Sequence, residues 1–250
     1  MIPKIIHYCW LSGEPYPADL KKYMKTWKKV LPEYEFILWD TNRFDVNSSI
    51  WVKQAYECKK YAFAADYIRL YALFHFGGIY LDTDVEVLRS YNPLLMLDVI
   101  AGYDHINTRI EFATFGSVKG SPFLKDLLDY YDNKTFIKEN GELDIVSMPD
   151  IATQVLKEKG YKLISVKDIH EALNCRYDKV IPVFPREWFC PQNWYDYKLN
   201  KTNNTYSIHH YKGAWLPDQI RKEREILRRL GPYIPRVWRR IQHLYGKLKL

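Results

Sequence analysis

From Tyr61 to Asp84 the chain runs an almost wholly apolar segment, Tyr61 to Phe76, into Gly77-Gly78, then into Ile79-Tyr80-Leu81 and the acidic pair of Asp82-Thr83-Asp84. An apolar segment of that length, stopped by glycine and followed at once by a short apolar run, reads as a buried helix that turns back into a buried strand. Charged residues at Asp66 and Arg69, with His75, interrupt the segment and argue against a membrane span. A strand that ends in carboxylates at the carboxyl edge of an α/β sheet puts hard oxygen ligands at the crevice where such folds bind their ligands. A divalent ion held there can bridge two phosphates and neutralise the charge that develops on a departing nucleoside diphosphate. An Asp-x-Asp pair alone reads first as a solvated strand end or turn, so its surroundings have to decide.

The rest of the chain supports an α/β reading. Lys4 to Trp10 reads as a buried strand, the stretch from Pro17 to Leu31 as an amphipathic helix, and Phe36 to Trp39 as a second strand. Ser48 or Ser49 can cap a helix that runs to about Lys59. Strands are expected at Val99–Gly102, Phe112–Phe115, Lys162–Val166 and Tyr206–His209, and helices at Pro122–Tyr131 and Asp150–Lys159. Short strands and ordered loops are expected from Val180 to Trp194. Two helices, Pro217–Leu230 and Pro235 onward, close the chain. Strands alternating with helices at these lengths indicate a sheet with a parallel core.

On the Tyr61–Phe76 helix, Asp66 and Arg69 are three apart and share a face. They either pair with each other as a structural salt bridge, or serve a ligand, Asp66 accepting from sugar hydroxyls and Arg69 reaching a phosphate or sugar oxygen. In the second case both lie beside the Asp82-Thr83-Asp84 site.

Four strings in this order, Ile2 to Trp10, Ala65-Asp66-Tyr67-Ile68-Arg69, Gly77 to Asp84, and His209-His210 ahead of Trp215, resemble glycosyltransferase family 32. That family comprises DxD sugar transferases of capsule and surface-polysaccharide synthesis and yeast-type mannosyltransferases, with the clostridial glucosylating toxins more distant. The resemblance is dense from residue 1 to about 95, thin from 96 to 200, and returns at 206–216. It implies a GT-A type, Rossmann-like fold over residues 1–216, with a mostly parallel central sheet, and a Mn²⁺- or Mg²⁺-dependent, configuration-retaining transfer. The donor would be a nucleotide sugar, with UDP favoured as its nucleotide, and the acceptor a glycan or lipid-linked glycan. By the same resemblance Trp10 stacks on the nucleobase and the backbone of Ile6, His7 and Tyr8 lines its pocket. Asp66 and Arg69 hold the donor sugar, Asp82 contacts ribose and metal, Asp84 binds the metal, and Thr83 and Trp215 border the donor. A third metal contact comes from the histidine pair, His210 first and His209 second, since neighbouring strand residues face opposite ways. Asn107 and Asp150 are further sugar-contact candidates. Ala65, where relatives often carry Ser, and Met148-Pro149, where they often carry Gly-Pro, depart from the pattern and leave donor-sugar specificity open.

Charge sharpens the division of the chain. The formal +7 comes almost wholly from residues 219–250, which hold ten basic and two acidic residues, a local +8. The body carries 27 basic and 28 acidic groups, or −1. Residues 217–250 therefore read as a basic, amphipathic helical extension, either packed on the body or docked on an anionic membrane surface. Without a signal-peptide pattern and with scattered cysteines at 9, 58, 175 and 190, the expected setting is cytoplasmic, with reduced thiols, peripheral on the inner face of a membrane. Basic charge with 16% aromatic residues would also suit a non-enzymatic nucleic-acid or membrane module, but a neutral body makes nucleic acid an unexpected partner. A transferase acting on protein is the other alternative, and the absence of a long acceptor-recognition insertion argues against it.

Overall fold

The computed structural model describes residues 1–104, 106–175, 177–193 and 198–213. In chain order the elements are β1 (Ile5–Cys9), α1 (Ala18–Val30), β2 (Glu35–Trp39), α2 (Ile50–Glu57), α3 (Tyr61–Phe76), β3 (Gly78–Leu81), β4 (Val85–Val87), β5 (Val99–Tyr103), β6 (Ile110–Ser117), α4 (Pro122–Asp129), α5 (Met148–Glu158), β7 (Lys162–Ser165), α6 (Ile169–Asn174), β8 (Val180–Val183) and β9 (Ser207–His209). The central sheet has the order β2-β1-β3-β6-β5. β1 is parallel to both β2 and β3, while β6 is antiparallel to β3 and to β5. Four of the five strands therefore point one way and only β6 runs against them, which agrees with the mostly parallel sheet expected. A parallel pair, β7 with β8, extends it, since Phe184 N–H donates to Ala101 O (2.9 Å) and Tyr103 N–H to Phe184 O (3.0 Å).

Strand alternation divides the core into two faces. Tyr80 and Phe115 pack with α2, α3, α4 and α5, while Ile6, Ile79 and Leu81 pack with Trp27 of α1, Val85, Trp188 and Tyr206. Trp27 is 1% exposed and its Nε1–H donates to Val85 O at 2.7 Å, which ties α1 to β4 across the lower face.

α3 follows the sequence pattern from end to end. It is buried on nearly all sides and stops at Gly77, whose N–H closes on Leu73 O at 2.8 Å. Gly77 and Gly78 have φ of +66° and +111°, and a Cβ on Gly78 would stand 2.7 Å from Ile5 O. Only glycine lets the chain reverse here and lie directly against β1.

Two elements were not expected from the sequence. β4 has three residues and exists because it pairs with β9 from the far end of the chain. α6 is a short helix capped by Asp168, whose side chain accepts from Glu171 N–H, while Lys167 N–H donates back to Glu171. The return bond comes from the residue before the cap, so this is a variant of the capping box, carried by the string Asp168-x-x-Glu171. The four cysteines are free, and Cys9 and Cys190 are buried. No helix of the described residues is long and apolar enough to cross a membrane. The basic segment 217–250 and Trp215 lie outside the described residues.

Candidate functional site

Asp82, Thr83 and Asp84 form the turn at which the chain leaves the central sheet through β3 and enters β4. Val85 N–H closes the turn on Asp82 O (3.0 Å), and Asp82 N–H donates to Ala113 O (2.8 Å), so β6 holds it from one side. β9 holds it from the other, because the β4–β9 register places Val85 opposite His209. Three stretches far apart in sequence thus meet at one edge.

His209 is the side chain that this register turns toward the acids. Its Nε2 lies 3.5 Å from Asp84 Oδ1 and its Nδ1 3.4 Å from Glu111 Oε1. His210 points away: its Nε2 stands 2.9 Å from Glu86 Oε2 and its ring stacks on Tyr23 at 3.9 Å. Where the sequence put His210 first, the structure turns His209 toward the acids instead, since alternation admits only one of the two and the pairing with β4 selects His209. His210 still contributes its backbone, its N–H donating to Asp84 O at 3.1 Å, and Lys212 N–H donates to Asp84 Oδ2 at 2.8 Å.

Arg69 connects α3 to this turn. Its Nη2 is 3.0 Å from Asp66 Oδ1 and 3.4 Å from Asp82 Oδ1, its Nη1–H donates to Phe112 O (2.9 Å), and the guanidinium lies 4.6 Å from the Tyr80 ring centre. Pairing between Asp66 and Arg69 is present, and it is also part of the site because the same arginine reaches Asp82. Arg69 Nε is buried and finds no hydrogen-bond partner among the described residues.

The charges are strongly coupled. Burial raises the Asp66 carboxyl to about 7 although Arg69 opposes it. Burial likewise raises Asp82, with Arg69 opposing and Asp84 adding to the rise. For Asp84 the burial penalty is outweighed by His209 and the Lys212 amide, and the carboxyl falls to about 2. Glu111 also falls to about 2, burial again being overcome by His209 and the Ala113 amide. Burial alone would lower His209, but Asp84 and Glu111 on either side raise it well above the ordinary histidine range. Four carboxyl groups therefore share two cationic side chains.

The other expected residues divide into those near this edge and those elsewhere. Tyr8 and Trp10 follow at the carboxyl end of β1, the Trp10 ring 4.6 Å from Tyr16 and its Nε1–H donating to Glu14 O at 2.6 Å. Trp10 is half-buried rather than a core aromatic. Ile6 is fully buried within the sheet. The His7 side chain turns into the core, accepting from Trp39 Nε1–H at Nδ1 (3.0 Å) and meeting Gly77 O through Nε2 (2.8 Å), so only its backbone faces the edge. Asp150 is bound by Arg109, which also holds Asp104, and by Ser147; Asn107 sits with φ +56° in the loop that Asp104 and Arg109 close. Glu111 was not singled out from sequence. Its signal is a lone acid inside an apolar strand, and it becomes informative only when His209 is seen beside it.

Residues 17–100 match the family described as a glycosyltransferase sugar-binding region containing the DXD motif, a span that includes Asp66, Arg69, Asp82 and Asp84. This region is similar to the DXD-motif glycosyltransferases. An inositol phosphoceramide mannosyltransferase of Schizosaccharomyces pombe is 33% identical over 127 residues, 49% of this chain and 35% of that protein. A mannosyl phosphorylinositol ceramide synthase of Saccharomyces cerevisiae is 33% identical over 144 residues, 55% of this chain and 37% of that protein. The chain thus spans about a third of the length of these relatives. Among solved structures, PaToxG glycosyltransferase aligns with a TM-score of 0.51 and 21% identity over 69% of this chain and 72% of that one, a likeness of fold. The DXD region is accordingly carried on a GT-A α/β fold.

Proposed function

We propose that this DXD chain is a divalent-metal-dependent, retaining glycosyltransferase that moves a hexose or N-acetylhexosamine from a nucleotide sugar to a hydroxyl of a surface-polysaccharide or lipid-linked glycan acceptor. The observation that carries the reading is the meeting of Asp82, Asp84 and His209, whose ligand atoms all lie within 4.8 Å of one another. Two carboxylates and one imidazole suit Mn²⁺ or Mg²⁺, and the excess of carboxyl groups over cations around them suits a dication. When bound there, such an ion would neutralise charge on the leaving diphosphate.

The protein's own groups supply the rest. Arg69, held by Asp66 and Asp82, orients the Asp82 carboxylate and adds positive charge where the diphosphate departs. Asp66 accepts from the donor sugar, and Trp10, Thr83 and the β1 backbone border the nucleotide. In the transfer the anomeric carbon–phosphate oxygen bond breaks, the acceptor oxygen bonds to the anomeric carbon, and its proton passes to the departing phosphate oxygen. No residue is assigned as a covalent nucleophile, and this route requires none.

The relatives' names join a mannosyl group to inositol phosphoceramide, a lipid, which supports a lipid-borne acceptor and adds mannose to the donor sugars in play. The +8 of residues 219–250 would then serve to bring the enzyme to an anionic membrane surface on the cytoplasmic side.

The test is a thermal-shift panel of UDP-, GDP- and CDP-sugars with and without Mn²⁺. A ligand at one hundred times its Kd stabilises the native state by about 2.7 kcal/mol. One nucleotide series is expected to raise Tm only with Mn²⁺, UDP first. Shifts independent of metal, or none at all, would contradict the reading.

A further inference from the structure

We propose that Glu111 is a positioning residue for the metal site, holding the His209 ring from behind so that Nε2 is presented to Asp82 and Asp84. This rests on the metal-dependent reading above. Glu111 lies in β6, a strand whose every position is buried, and is 6% exposed. A carboxylate there is costly unless its oxygens are satisfied. Ala113 N–H donates to Oε1 at 3.0 Å and Tyr211 O–H to Oε2 at 3.2 Å, so two separate segments fix the carboxylate. Tyr211 is braced in turn by Cys190, its OH 2.5 Å from Sγ.

What this fixed carboxylate faces is the back of His209. The His209 Nδ1 is buried and has no hydrogen-bond partner among the described residues, and Glu111 Oε1 is 3.4 Å from it. The front nitrogen, Nε2, faces Asp84. A histidine ligates through one nitrogen, and an acceptor behind the other sets the tautomer that leaves the first with its lone pair forward. Hydrogen bonds of this kind are often long before the ligand arrives and tighten on binding. Glu111, Cys190 and His209 also form a compact group of their own. However, the Tyr211 hydroxyl already joins the thiol to the carboxylate, which makes that group the support behind the imidazole.

The experiment is a Mn²⁺ titration of the full chain, read by the EPR signal of free Mn²⁺, on wild type, Glu111→Gln, His209→Ala, the Glu111→Gln/His209→Ala double variant and Asp84→Ala. Each is first shown to fold by its circular dichroism and its Tm in EDTA. Glu111→Gln should weaken Mn²⁺ binding by roughly 10–100-fold. His209→Ala should weaken it at least as much, and the double variant should be no worse than His209→Ala, because Glu111 acts only through that ring. Unchanged binding in Glu111→Gln, effects that multiply in the double variant, or two Mn²⁺ per chain would overturn the proposal. Unchanged binding in both His209→Ala and Asp84→Ala would overturn the metal site as well, and this proposal with it. If Glu111→Gln does not fold, Tyr211→Phe removes one anchor and keeps the carboxylate. A weaker Mn²⁺ affinity is expected there too, and an unchanged one overturns the proposal.

Discussion

Arg69 Nη2 stands 3.4 Å from Asp82 Oδ1, so a residue in the middle of α3 directly holds the first acid of the DXD turn. The same nitrogen is 3.0 Å from Asp66, and both charged groups on the helix are buried. Removing the cation leaves the buried Asp66 carboxyl and the half-buried Asp82 carboxyl without it. Arg69→Ala should therefore cost about 3–5 kcal/mol of stability as well as activity. Urea denaturation checks this, and wild-type stability in the variant would show that the pair is not held as described.

His7 gives a pH dependence with a defined sign. Its ring accepts from Trp39 and meets the Gly77 carbonyl, which suits the neutral form. Burial lowers its pKa from 6.5 to about 4, opposed by the Gly77 carbonyl and aided by Arg43. Between those values the unfolded chain binds more protons than the folded one. This contribution is whole above pH 6.5 and is lost as pH falls toward about 4. The full loss is on the order of 3 kcal/mol. Urea midpoints measured across that range should fall more steeply for wild type than for His7→Gln; equal slopes would contradict the assignment.

Gly78 should tolerate no side chain. Its φ of +111° and the 2.7 Å approach of a new Cβ to Ile5 O both oppose alanine, whereas Gly120, at φ +71°, has open space around it. Gly78→Ala is expected to lose well over about 1 kcal/mol, and Gly120→Ala less. Thermal melts of the two variants decide it, and equal losses would remove the steric argument.

The parts of the fold legible in sequence were those written by local pattern. Tyr61–Phe76 with its two glycines named α3 and β3, and Ser49 caps α2 by accepting from Val52 N–H. What stayed hidden was long-range. β4 exists only through β9, and which of His209 and His210 faces inward depends on that register, which neither segment encodes alone. Glu111 was illegible for the same reason, since its partners His209 and Tyr211 arrive from the far end of the chain.

The basic segment offers a separate test. Truncation at Gly231 removes Arg236, Arg239, Arg240, Lys247 and Lys249. Each such residue near an anionic surface contributes about 1 kcal/mol. The truncated protein should lose flotation with anionic vesicles; flotation equal to the full chain would remove the membrane role.

The most direct measurement of metal-dependent transfer at the DXD turn is nucleoside diphosphate release from a donor sugar by wild type and Asp84→Ala, each with Mn²⁺ and with EDTA. Asp84 takes the Lys212 amide at 2.8 Å and faces His209 at 3.5 Å, so its removal takes one carboxylate from the proposed ligand set. The expected result is release by wild type with Mn²⁺ and none by wild type in EDTA or by Asp84→Ala in either condition. Wild-type release by Asp84→Ala at physiological metal concentration would contradict it.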